Sequence, residues 1–245
     1  MGTSLKNFIR PLVPRAAMEL WRASKAARID ARFAHQTPLE VFSAVYRDKL
    51  WSAGESIDFS SGTGSHEERI VRPYVESVRA FLGELGGETD VVDLGCGDFT
   101  VGARLRDAAG RFVACDVVPA LIERNRHMFA ALRVDFRCLD IVADRLPPGD
   151  VVFLRQVLQH LSNAQVGAVL GKLSAYQWAV ITEHIPKQHD FRPNVDKPIG
   201  PGTRLRSASG IAVTRAPFHF AVRGERTLCA IEDEVGLIQT VAYRL

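Results

Sequence analysis

Residues 91–100 read Val91-Val92-Asp93-Leu94-Gly95-Cys96-Gly97-Asp98-Phe99-Thr100 and decide the fold. An apolar run ends in the acid Asp93, and two glycines, Gly95 and Gly97, follow before a helical pattern begins. Glycine permits a tight turn and lets the backbone approach a ligand closely. The start of the next helix offers N–H groups to a carboxylate on that ligand. The stretch therefore predicts the first strand and the ligand-binding turn of an α/β domain.

The chain around this stretch alternates short apolar runs with helical runs. Strands are predicted at 90–94, 111–116, 134–139, 150–154, 178–182, 227–232 and 237–245. Helices are predicted at 15–34, 39–51, 65–85 (capped by Ser65), 100–109, 119–131 and 162–173 (capped by Ser162). Such alternation indicates a parallel sheet covered on both faces. We expect a three-layer, doubly wound α/β sandwich with a mainly parallel seven-stranded sheet, its last strand antiparallel.

The domain organisation follows from where the alternation of strands and helices starts and stops. Residues 1–60 are expected to form a helical N-terminal extension that covers the site, and residues 61–245 the α/β domain. The proline-rich stretch at 187–224 is expected to be irregular. Long irregular excursions in compact domains are usually functional, so this one is predicted to face the substrate.

A dinucleotide fold is the main competitor for the glycine turn. Its fingerprint needs glycine or alanine three positions after Gly97, where this chain has Thr100. The carboxylate of Asp93 would also repel a pyrophosphate, whereas it suits a ligand that carries an ammonium and a sulfonium. The dinucleotide reading is therefore disfavoured.

Further acids follow the next two strands. Asp116 comes 19 residues after Gly97, where a carboxylate can accept both hydroxyls of a ribose, a feature shared with NAD sites. Asp140 follows the third strand and could accept from an adenine amino group, with Ile141 beside it to cover the ring. All these residues lie at carboxyl ends of strands, where open α/β sheets bind ligands.

These motifs together resemble those of class I (Rossmann-like) S-adenosylmethionine-dependent methyltransferases. The resemblance extends over roughly residues 60–185, and the motifs that carry it are at 91–102, 115–123, 138–141 and 150–162. The sequence is also similar to a bacterial group of small methyltransferases at 61–65, 96–99, 116–122 and 154–162. Phe99 replaces the third glycine of the broader pattern but fits the smaller group.

The resemblance implies S-adenosylmethionine as the cofactor and S-adenosylhomocysteine as its product. The residues it implies at the cofactor are Asp93, Gly95 and Gly97 for the methionine part, Asp116 and Val117 for the ribose and adenine edge, Asp140 and Ile141 for the adenine, and Gln156. Gln156 stands where the group more often has aspartate.

The predicted activity is O-methylation of a small molecule or a glycan hydroxyl. In-line methyl transfer depends mainly on positioning, but a hydroxyl must also lose its proton. His184, expected just after the fifth strand, is the predicted general base, whereas His160 is expected to pack near the cofactor. No metal is expected, because no spacing of ligand-type residues demands one.

Two alternatives stay open: a protein or RNA methyltransferase, and a non-catalytic subunit that binds S-adenosylmethionine. A net charge of +3 is weak support for RNA, since the first 35 residues carry +5 and the rest −2. After the fourth strand, Arg155-Gln156 stands where enzymes that methylate exocyclic base nitrogens carry an Asn-Pro-Pro-Tyr type of tetrapeptide.

The expected location is the cytoplasm. The four cysteines form no CxxC pair, and neither a signal-peptide pattern nor a membrane-spanning apolar run is found in the sequence. The basic N-terminal helix could contact anionic lipid, although a solvated or docked helix is favoured. The oligomeric state is left open.

Overall fold

The computed structural model describes residues 24, 28–29, 31–52, 59–86 and 88–245. Most of the helix predicted at 15–34 lies outside these residues; inside them, Phe33 is helical and fully buried. Helix α1 (Pro38–Arg47) begins in a capping box, because Thr37 and Glu40 each accept a hydrogen bond from the other's backbone N–H. It ends four residues before the predicted end at residue 51.

Five α-helices follow α1: α2 (Thr63–His66), α3 (Glu68–Glu84), α4 (Thr100–Ala103), α5 (Pro119–Met128) and α6 (Asn163–Leu170). The prediction that Ser65 caps a helix at 65–85 is wrong, because Ser65 lies inside α2 and α3 starts after Glu67. The helix predicted at 100–109 also breaks, and a separate 3₁₀ turn covers Arg106–Ala108. Ser162 does cap α6, in a second capping box with Gln165.

The strands are β1 (Val91–Leu94), β2 (Phe112–Asp116), β3 (Asp135–Cys138), β4 (Val151–Arg155), β5 (Trp178–Ile185), β6 (Gly224–Glu232) and β7 (Leu237–Arg244). They form one seven-stranded sheet in the order β3-β2-β1-β4-β5-β7-β6. The pairs among β1 to β5 are parallel, and β7 runs antiparallel to both β5 and β6. The predicted fold class is confirmed.

Strand β5 is three residues longer than predicted. It pairs with β7 along its whole length, from Trp178 opposite Arg244 to Ile185 opposite Leu237. His184 is therefore part of the strand and does not follow it, contrary to the expectation. Pairing with the distant strand β7 extends β5 beyond the end that its local sequence predicts.

Successive side chains of the buried strands point to opposite faces of the sheet, so each face has its own hydrophobic core. In β1, Val91 packs into one cluster with α3 and Phe99, while Val92 and Leu94 pack into the other. Phe99 lies in the first cluster, with edge contacts to three further phenylalanine rings at 112, 129 and 136. Both faces are covered, as a parallel sheet requires.

The chain leaves the middle of the sheet in two directions. From β1 it proceeds to β2 and β3 on one side, and it then crosses to β4 and β5 on the other. Ligands of open α/β sheets bind where the strand order reverses, at the carboxyl ends of the strands. In this fold that crevice lies between β1 and β4.

The irregular segment, residues 187–224, is docked by one buried arginine. Arg204 is 2% exposed, and its guanidinium donates to the carbonyls of Val195, Leu158, Gln159 and Leu161 and to Asn163 Oδ1. From residue 187 to residue 223 the segment's only helical or strand element is a 3₁₀ turn at Arg204–Ser207, and β6 begins at Gly224. Within the described residues, no helix has the length and apolar character needed to cross a bilayer.

Candidate active site

A cavity opens at the carboxyl ends of β1, β2 and β4, with about 1060 Å³ of empty space including its open mouth. All eight residues that the sequence placed at the cofactor line it: Asp93, Gly95, Gly97, Asp116, Val117, Asp140, Ile141 and Gln156. Residues before the α/β domain complete the wall, namely Pro38, Phe42, Tyr46 and Trp51. The predicted residues therefore converge on one space, at the crevice that the strand order creates.

The glycine turn leaves no room for a side chain. Gly95 and Gly97 have φ angles of +78° and +55°, in the left-handed region that favours glycine. A Cβ on Gly95 would lie 2.5 Å from Val157 Cγ2, and one on Gly97 would lie 2.4 Å from Ser61 Oγ. Both glycines line the cavity, so their backbone forms part of its surface.

Asp93 is a buried carboxylate without a hydrogen-bond partner. It is 8% exposed, and no donor among the described residues reaches it. Gly102 of α4 lies against it, since a Cβ there would be 3.2 Å from Asp93 Oδ2. Burial raises the pKa of Asp93 to about 7, an effect that the Arg155 charge opposes. An ionised Asp93 in this position suits a cationic group on a ligand.

Asp116 fixes the glycine turn from the neighbouring strand. Its oxygens accept from the backbone N–H groups of Gly97 and Val118, at 3.1 Å each. Burial raises its pKa to about 6, against the lowering effect of these hydrogen bonds. Each carboxylate oxygen can accept a second hydrogen bond, so ligand hydroxyls have acceptors here.

Asp140 and Ile141 also line the cavity. Asp140 Oδ1 accepts from the N–H groups of Val142 and Ala143, at 2.8 and 3.4 Å. This is the cap of a loop, and it leaves the second oxygen available on that side. Ile141 is 8% exposed and forms an apolar strip of the lining with Val117 and Val142. The strip can cover a flat ring.

Gln156 follows β4 with a φ of +56°. Its backbone N–H donates to Thr182 O at 2.7 Å, so the end of β4 stays bonded to β5. Its side chain packs on the backbone of residue 64, since a Cβ on Gly64 would lie 2.3 Å from Gln156 Oε1. The side chain thus links β4 to α2 and the loop that leads into it.

Asp98 ties the same loop to the glycine turn. Its Oδ2 accepts from Ser61 N at 3.0 Å and lies 2.9 Å from His66 Nε2, and its own N–H donates to Ser61 Oγ at 2.9 Å. Its Oδ1 accepts from Thr100 N and Oγ1, at 3.1 and 2.6 Å. Sequence reasoning did not give Asp98 this role, because the loop around Ser61 shows no spacing that links it to residue 98.

Arg155 is a cavity residue that sequence reasoning missed. It donates from its two terminal nitrogens to Ser65 Oγ and Gly64 O, and it lies 4.8 Å over the ring of Tyr74. Its position at the end of β4, next to Gln156, could have indicated that it lies at the cavity.

The two histidines take different positions. His184 does not line the cavity; its Nε2 lies 3.1 Å from Asp233 Oδ1, and its side chain is 12% exposed. His160 lines the cavity with its ring 5.0 Å from that of Trp51. Burial, with Lys197 nearby, lowers the pKa of His160 to about 3, so its imidazole is neutral.

A family model described as a methyltransferase domain matches residues 91–176. Among curated proteins, none matches the chain. The match runs from β1 almost to β5, which is the part of the sheet that carries the glycine turn and the acids.

Solved structures share the fold at low identity. N-methyltransferase NodS from Bradyrhizobium japonicum, solved with S-adenosylhomocysteine, is 12% identical with a TM-score of 0.59, over 82% of this chain and 97% of NodS. DhpI, also solved with that ligand, is 16% identical with a TM-score of 0.55, over 84% and 95%. The N-terminal domain of EvdMO1, solved with S-adenosylhomocysteine and D-fucose, is 14% identical with a TM-score of 0.51, over 83% and 96%.

Proposed function

We propose that this chain is a class I (Rossmann-like) S-adenosylmethionine-dependent methyltransferase and that it methylates a hydroxyl group of a small molecule or glycan. The observation that carries the proposal is the single cavity that joins the glycine turn to an aromatic wall. One end offers acids and exposed backbone, and the other offers the rings of Phe42, Trp51 and His160. Cofactor and acceptor would meet in that space.

The residues of the cavity fit the cofactor. The carboxylate of Asp93 has no partner among the described residues, which suits the ammonium and sulfonium charges. Gly95 and Gly97 line the cavity with backbone, and a Cβ at either position would collide with Val157 or Ser61. We assign Asp116 to the ribose hydroxyls and the strip around Asp140 to the adenine. These assignments are proposals that the shape and the charges support.

The residues of the chain would act chiefly by binding and positioning. Bound S-adenosylmethionine supplies a methyl group on a sulfonium, open to in-line displacement. The apolar and aromatic walls would exclude water and hold the acceptor hydroxyl in line, which is the main requirement of this chemistry. With its low pKa, His160 is a poor base but can share a hydrogen bond with an acceptor.

The aromatic wall bears on the choice of acceptor. Trp51 Nε1 donates to Pro201 O at 3.2 Å, so the irregular segment at 187–224 holds this ring in place. An amphipathic ring held by its N–H presents an apolar face to a ligand. EvdMO1, solved in the presence of D-fucose, supports a sugar acceptor, whereas NodS is an N-methyltransferase, so amines are the competing class. We also propose that the extension predicted at 1–60 covers this site, because its described residues Phe42, Tyr46 and Trp51 line the cavity; most of its first 30 residues lie outside those that the structure describes.

The test begins with binding. Calorimetric titrations with S-adenosylmethionine, S-adenosylhomocysteine and NAD should show binding of the first two alone. Transfer of a labelled methyl group is then measured with sugars, phenols, amines, a protein extract and RNA as separate acceptor classes. Methylation of hydroxyl acceptors supports the proposal, methylation of amines or macromolecules alone refutes it, and cofactor binding without transfer to any class favours a non-catalytic subunit.

His184 as general base stays a prediction. From β5 it would have to reach the acceptor across the cavity edge while hydrogen-bonded to Asp233. His184→Gln should lower kcat strongly with little change in cofactor affinity if His184 is the base. The matched control is Asp233→Asn, which perturbs the same hydrogen bond and leaves the imidazole in place. Equal, small losses in both variants would reject the base.

A further inference from the structure

Arg155 stands out among the charged groups of the cavity. Among the described residues that line it, Arg155 is the one lysine or arginine. It lies two residues after Phe153, which is paired with Asp93 across β4 and β1. Side chains two positions apart share one face of a strand. Arg155 and Asp93 therefore project from the same face of the sheet, at the crevice where the strand order reverses.

The guanidinium of Arg155 is held from one side. Two of its five N–H groups donate to Ser65 Oγ and Gly64 O, and the plane lies over the Tyr74 ring. Its Nε is buried without a partner. The remaining N–H groups find no acceptor among the described residues, so a fixed fork of donors is left for something else.

Arg155 and Asp93 do not neutralise each other. Among the described residues no ion pair joins them, although each charge is close enough to affect the other. Charged groups removed from water normally find a partner. Two opposite charges that stand apart in one cavity fit a ligand that carries both signs, with its negative end at Arg155 and its positive end at Asp93.

We propose that Arg155 binds the carboxylate of the cofactor's amino-acid end while Asp93 binds its ammonium, so that the two select a zwitterionic cofactor. A guanidinium matches a carboxylate through two parallel hydrogen bonds, which gives geometric selectivity as well as attraction. The inference rests on the proposed function only in that it takes S-adenosylmethionine as the ligand. A carboxylate or phosphate on the acceptor is the competing occupant.

Two ligands test this by calorimetry. S-adenosylhomocysteine carries the amino-acid end, and 5′-methylthioadenosine has the same nucleoside and thioether without it. Arg155→Met should weaken S-adenosylhomocysteine binding on the order of 30-fold and leave methylthioadenosine binding within about 2-fold. Arg155→Lys, which keeps the charge but loses the fork, should fall between. Arg145→Met, at an exposed arginine outside the cavity, is the matched control.

Three results would overturn the inference. If Arg155→Met weakens the binding of both ligands equally, Arg155 only shapes the cavity. If Arg155→Met fails to fold, the same comparison is made with Arg155→Lys. Unchanged affinity for both ligands with a raised acceptor KM assigns Arg155 to the acceptor. Unchanged affinity for both with an unchanged KM removes any binding role. Failure of the hydroxyl proposal looks different: the selective loss in Arg155→Met remains, but no hydroxyl acceptor is methylated.

Discussion

Glu183 should make the stability of this protein fall as the pH rises. The side chain is 4% exposed in β5, Oε1 accepts from Leu158 N at 3.0 Å, and Oε2 is buried without a partner. Burial raises the pKa of Glu183 from 4.5 to about 8. The folded state then holds a proton that the unfolded state releases above its ordinary pKa. The stabilisation is complete below about pH 4.5 and is lost as the pH rises through about 8.

The magnitude follows from the two pKa values. A rise of this size corresponds to about 5 kcal/mol at high pH. Glu183→Gln keeps the acceptor for Leu158 and removes the titration. We expect the variant to melt roughly 10 °C above the unmodified protein at pH 9, and within about 2 °C of it at pH 4.5. Differential scanning calorimetry in steps of pH measures this.

Glu234→Gln is the control, because Glu234 is exposed. In the same pH series, the difference in melting temperature between Glu234→Gln and the unmodified protein should stay constant. A melting difference for Glu183→Gln that is constant from pH 4.5 to 9 would refute the reasoning, since it would mean that Glu183 is ionised throughout.

The other predictions concern the cavity and the irregular segment. Gly97→Ala should weaken S-adenosylhomocysteine binding at least about 10-fold in calorimetry, because its Cβ would press on Ser61 Oγ at a positive φ; unchanged affinity would show that the turn yields. Binding of that ligand should weaken as the pH falls below about 7, where Asp93 takes up a proton; a flat profile, identical to that of Asp93→Asn, would contradict the assigned charge. Arg204→Met should lower stability by about 3 kcal/mol in chemical denaturation, because buried carbonyls lose their donor; a loss below about 1 kcal/mol would mean that water replaces the guanidinium.

Much of the fold was predictable because its signals are local. The apolar runs, the glycine pair and the capping serine at 162 each lie within about ten residues of the structure they specify. The convergence of Asp93, Asp116 and Asp140 on one cavity was predictable for a related reason. Parallel strands bring all their carboxyl ends to one edge, so residues far apart in the chain could be placed together without knowing their contacts.

The missed features depend on contacts between distant segments. The extension of β5 to Ile185 needs β7 as a partner, and the tie between Asp98 and Ser61 spans 37 residues. Arg155 reads in the sequence as an ordinary strand end. Its position in the cavity is defined by Asp93, Tyr74 and residue 64. No periodic pattern in the sequence connects these residues to Arg155.

The position of β4 has a consequence for how a fragment of this protein would behave. β4 pairs directly with β1 in the middle of the sheet, yet β2, α5 and β3 all come between them in the chain. A polypeptide that stopped at residue 150 would contain the glycine turn and all four acids of the cavity, Asp93, Asp98, Asp116 and Asp140, but none of the lining residues that β4 and the turn after it supply. The inner edge of β1 would present unpaired N–H and C=O groups, which recruit other chains. Such a truncation would self-associate before it bound any nucleoside.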